Sequence, residues 1–143
     1  MSSPRSFRLL VALLSASLIG ARPVPHDVWV GTAMPTDGGA MRGVLEMFAG
    51  KPPNTTFVEL ALRNDLPGAM RVWHVGQGTC AKPSMIFGDS AAYPVIRIGN
   101  DGKGVGAVTL RLTLPDTGDF HVAIAASPRN SRRVACGDLV LED

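Results

Sequence analysis

The stretch Val28–Arg63, VWVGTAMPTDGGAMRGVLEMFAGKPPNTTFVELALR, decides the fold class. Its apolar segments Val28–Met34, Ala40–Ala49 and Thr56–Arg63 are cut apart by Pro35-Thr36-Asp37-Gly38-Gly39 and by Pro52-Pro53-Asn54. Pro presets its backbone dihedral, Gly adopts positive φ without a steric cost, and Asn and Asp bond to their own backbone, so both interruptions reverse the chain. The intervening segments are short and rich in Val, Leu and Thr, which suits strands rather than helices.

The same rhythm runs to the C-terminus. Further strands are expected at Met70–Val75, Pro94–Ile98, Val105–Leu114, Phe120–Ala126 and Arg133–Leu141, which brings the total to eight. Turn chemistry separates them at Asp65-Leu66-Pro67-Gly68, Asn100-Asp101-Gly102, Pro115-Asp116-Thr117-Gly118 and Ser127-Pro128-Arg129-Asn130. In Thr109-Leu110-Arg111-Leu112-Thr113-Leu114 the alternation predicts leucines facing a core, with Thr and Arg facing out. Eight short antiparallel strands imply an all-β domain, a Greek-key β-barrel or sandwich. At 143 residues, with no repeat or linker, the chain has room for one such domain, assigned to residues 22–143.

Upstream, Met1–Ala21 reads as a signal peptide: Arg5 and Arg8 precede the apolar core Leu9–Ile19, which is short for a bilayer span. Left uncleaved, it would act as an anchor. Export places the domain in the periplasm or outside the cell. Removing residues 1–21 lowers the formal net charge from +2 to zero, because no acid precedes Asp27. A balanced domain whose densest basic cluster is Arg129, Arg132 and Arg133 offers a poor surface for tracking phosphates, so nucleic acid is not an expected partner. Membrane contact would come only through a partner or an uncleaved leader.

The only two cysteines, Cys80 and Cys136, suggest a structural disulfide in an exported chain. A metal-binding pair or a reactive thiol is the alternative, although no Cys-x-x-Cys spacing supports a metal. The serines lack a nucleophile-elbow setting, and no glycine-rich segment opens a helix to hold phosphate.

Four segments, taken in order, carry a family resemblance. They are Trp73-His74-Val75-Gly76-Gln77-Gly78-Thr79-Cys80, Asn100-Asp101-Gly102, Gly118-Asp119-Phe120-His121-Val122 and Arg133-Val134-Ala135-Cys136-Gly137-Asp138-Leu139. Together they resemble the copper/zinc superoxide dismutases, most closely the divergent secreted bacterial branch. The resemblance implies an eight-stranded Greek-key barrel with a disulfide pinning a long loop to the last strand. It also implies a copper ion held by imidazoles, and here the chain departs from the family. The first ligand pair, His-x-His, is represented by His74-Val75-Gly76, so one histidine is kept and the second is Gly76. Ala125 stands where the last copper ligand belongs, and no histidine lies between Ala81 and Asn100, where the bridging and zinc ligands belong. Arg133 matches the arginine that draws the anionic substrate toward copper in the family.

One matched ligand of four does not hold a redox-active copper ion, so no superoxide dismutase activity is expected. Neither a catalytic residue nor a metal cofactor is expected; His74 is a vestigial candidate ligand and Arg133 a remnant of the anion site. The expected function is that of a pseudoenzyme: an exported, non-enzymatic binding or structural module with a protein partner, such as an accessory subunit of a membrane-associated assembly. The expected docking patch is the small apolar surface left by Gly76 and Ala125. The alternative is a copper carrier or residual metal site in which His74 works with His121, His26 or a methionine. Met34, Met41, Met47, Met70 and Met85 suit Cu(I) chemically, but they are scattered singly, as core fillers are.

Overall fold

The computed structural model describes residues 27–143. The leader Met1–Ala21 and His26 lie outside them. The described residues are almost entirely β. In chain order the strands are β1 (Val28–Pro35), β2 (Arg42–Ala49), β3 (Thr56–Arg63), β4 (Met70–Gly78) and β5 (Pro83–Ile86), followed by β6 (Ile96–Arg97), β7 (Gly104–Leu110), β8 (Phe120–Ser127), β9 (Asn130–Asp138) and β10 (Val140–Glu142). A single 3-10 turn at Ser90–Ala92 follows Asp89, whose carboxylate accepts from the Ala91 N–H at 2.9 Å.

All ladders are antiparallel, in the order β5-β4-β8-β9-β1-β2-β3-β7, with β10 paired to β1 and β6 paired to β4. The sheet curls until β6 reaches β7. Gly106 permits that approach, since a Cβ there would lie 2.7 Å from Ile96 Cγ1 and 2.8 Å from Trp73 Nε1. Inside the curl sit Leu45, Met47, Val58, Leu60, Trp73, Val75, Val122 and Ile124, all essentially inaccessible to solvent. The indoles bury their rings and satisfy their N–H groups on proline carbonyls, Trp29 to Pro115 and Trp73 to Pro94, each at 2.8 Å.

Ten strands replace the eight expected. β5 was not anticipated, and the last expected strand is divided at Leu139: β9 pairs with β8, in whose register the Leu139 N–H still donates to Phe120 O at 2.8 Å, while β10 pairs with β1. β7 stops at Leu110 rather than Leu114, because its partner β3 begins at Thr56, opposite Leu110. Beyond that point only side chains reach across, the Thr56 hydroxyl donating to Leu112 O at 2.7 Å and the Thr113 hydroxyl to Asn54 Oδ1 at 3.5 Å, and Leu112 is exposed instead of facing the core. Arg71 on β4 forms a bidentate pair with Asp65, with contacts of 2.8 and 2.6 Å, and also donates to Ala126 O at 2.8 Å. Both charged groups are buried.

Candidate functional site

The expected site falls where β4 pairs with β8. His74 lies opposite Ala123 and Gly76 opposite His121, so both histidines project from the outer face of these strands. The His121 ring covers Gly76: a Cβ at position 76 would lie 2.5 Å from its Cε1 and 2.8 Å from its Nε2. The missing side chain of Gly76 is therefore replaced by a ring from the neighbouring strand. This corrects the expectation of a flat apolar patch, since Gly76 is buried and His121 is only 2% exposed.

His121 Nδ1 lies 3.0 Å from Gly78 O. A carbonyl only accepts, so Nδ1 carries a proton, and in the neutral ring the lone pair sits on Nε2. Gly78 is held at φ +84°, and a Cβ there would strike Lys82 O, which ties the turn after β4 to glycine. The His74 and His121 ring centroids are 6.4 Å apart, with the planes inclined at 76°. Burial is the main cause that holds the His74 pKa below its usual 6.5, and the neighbouring His121 adds to it. With metal–nitrogen distances of about 2.0–2.1 Å, two imidazoles on one ion have centroids no more than roughly 6.5 Å apart, at the straight-line limit. The observed separation lies at that limit. Among the described residues no group of three or more His, Cys, Asp or Glu side chains is arranged to hold a metal.

His74 and His121, with Ala125, Ser131 and Arg133, line a cavity of about 220 Å³. Arg133 is exposed and its Nη1 donates to Cys80 O at 3.1 Å. The Cys80 N–H donates to Asp138 Oδ1 at 2.7 Å, and Cys80 is bonded to Cys136 with the Cα atoms 6.1 Å apart. The disulfide expected from sequence is therefore present, and it clamps the turn after β4 onto β9. A disulfide in a domain of this size points to an oxidising, extracellular environment. No helix among the described residues is long and apolar enough to cross a membrane.

Beside the cavity, β5 ends the sheet, and all four of its residues are exposed. The Phe87 N–H donates to Val75 O at 2.8 Å, so its neighbour Ile86, opposite Gly76, turns its own N–H and C=O away from β4. Met85 projects from the same edge and is 68% exposed. Among the other methionines, Met41 and Met47 are in the core, and none joins the imidazole pair in lining the cavity. The chain matches no family model, and no curated protein is significantly similar to it.

Proposed function

We propose that the protein is an exported, non-enzymatic binding module on a superoxide dismutase-like frame, and that it engages an extended segment of a partner protein at the open edge of β5. The observation that carries this reading is the edge itself. A short terminal strand, exposed at all four residues, turns the Ile86 N–H and C=O outward beside a cavity able to take a side chain. Such edges template the pairing of another strand; Pro83 and the register shift between Gly76 and Gly78 blunt the start of this one and leave Ile86 open. The clamp from Cys80 to Cys136 supports it further, because a rigid edge loses less freedom on binding. The family resemblance supplies the frame; Gly76 and Ala125 in place of ligands support the loss of dismutase chemistry. The apolar leader and the disulfide support a periplasmic or secreted location.

The test is a photo-crosslinking residue at Met85 in the exported protein, with one at Thr36 as control. A discrete adduct from Met85, lost on Ile86→Pro, is expected. No adduct, or one unaffected by Ile86→Pro in a folded variant, overturns the reading. A second reading, a copper-binding carrier, is favoured by the proximity of the His74 and His121 rings.

A further inference from the structure

A second surface, independent of the β5 edge, lies on the outer face of β1, β2, β3 and β7. The outward residues of β1, β2, β3 and β7 fall into rows fixed by strand register. One row runs Thr32, Val44, Ala61, Val105. Val44 is 44% and Val105 63% exposed, so this row is an open apolar strip. Two residues along β2 and β3 on one side, Glu46 lies directly opposite Glu59; two residues along on the other side, Arg42 lies directly opposite Arg63.

Like charges placed opposite each other on neighbouring strands are unfavourable within one copy. Among the described residues the only ion pair is Arg71–Asp65, so neither the glutamates nor these arginines find an opposite charge in their own chain. The spacing supplies one in a second chain. Residues 42 and 46 are equidistant from 44, as 59 and 63 are from 61. A two-fold axis lying between two such faces, across the strands and above Val44–Ala61, reverses each strand onto its own copy. It sets Glu46 over the partner copy's position 42 and Glu59 over its position 63, on both strands at once and twice by symmetry.

The dimensions permit the contact. Packed sheets sit about 10 Å apart, a gap that Glu and Arg side chains reaching from opposite sides can close. The usual crossing of about 30° moves a group roughly 7 Å from the axis by about 3–4 Å, within the reach of Arg. Three strands of eight residues and one of seven present roughly 500 Å² of sheet per copy from their spacing and rise, near the lower bound for a specific interface.

We propose that this face associates with the same face of a second copy of the chain, with the Val44 row at its centre and Glu–Arg pairs on either side. Sedimentation analysis of the oxidised full chain across a concentration series tests it. The wild type is expected to dimerise. Glu46→Arg with Glu59→Arg, and separately Arg42→Glu with Arg63→Glu, should each weaken the dimer at least about tenfold. An equimolar mixture of the two variants should restore it, because every facing pair is again opposite in sign. A wild type that stays monomeric up to about 1 mM, where even a weak dimer would form, overturns the proposal. A dimer indifferent to both variants, or variants that fail to rescue each other while unfolding cooperatively, overturns it as well. The crosslink at Met85 reads the β5 edge separately, so the two proposals fail independently.

Discussion

Replacing Gly76 by Ala tests the geometry at the centre of the site. The new methyl would lie 2.5 Å from His121 Cε1 and 3.3 Å from Nδ1, against an ordinary contact distance of about 3.5–4.0 Å. The ring must move by about 1 Å, yet His121 is almost wholly enclosed and anchored to Gly78 O. Overpacking of this kind costs about 1–3 kcal/mol, and losing the anchoring hydrogen bond adds about 1 kcal/mol. Ala recovers about 0.5–1 kcal/mol of the entropy that Gly loses on folding, which leaves a net destabilisation of about 1–3 kcal/mol. Urea titration of the oxidised protein, followed by the fluorescence of the buried Trp29 and Trp73, measures it. Adding His121→Ala removes the obstacle, so the double variant should lose less than the sum of the singles by at least about 1 kcal/mol. A neutral Gly76→Ala, or strict additivity with His121→Ala, would refute the claim that the ring fills the space above Gly76.

Other perturbations follow from the same structure. Cys136→Ser frees two positions 56 residues apart and should cost about 4 kcal/mol in denaturant titration, against no loss for an exposed Ser131→Ala. Arg71→Ala leaves Asp65 buried without its partner and should cost about 3–5 kcal/mol by the same assay. The Arg71 pairing and the Leu66 N–H outweigh burial and hold the Asp65 pKa below 3.8. Asp65 therefore contributes stability above the usual carboxylate range that is lost as pH falls through its lowered folded value, and Asp65→Asn should remove that part of the acid dependence. His74 is held neutral in the fold, so the unfolded chain binds the extra proton below pH 6.5 and stability should fall as pH drops from there toward the lowered folded value. His74→Gln should flatten that slope.

Much of the fold is legible because turn residues punctuate it. Thr56–Arg63 forms a strand over the expected span, and Val28 and Phe120 begin theirs where the pattern does. What failed depends on partners distant in sequence. The alternation through Leu112 and Leu114 is genuine, but a strand continues only while a neighbour supplies hydrogen bonds, and β3 supplies none past Thr56. β5 was hidden by its brevity, by Pro83 at its start and by four exposed residues with no alternation to read. At the site, His74 and Arg133 were legible from their motifs. His121 was legible only as a candidate companion to His74. Its relation to Gly76 runs across the ladder, and register is not written in either strand alone.

The central claim is a dismutase-like frame that binds protein without holding the metal. Metal content, measured by mass spectrometry on oxidised protein after loading with excess copper or zinc and exhaustive dialysis, tests it most directly, with His74→Ala alongside. The account predicts background metal in both proteins. Near-stoichiometric copper in the wild type that disappears in His74→Ala would contradict it and make the His74–His121 pair a working site.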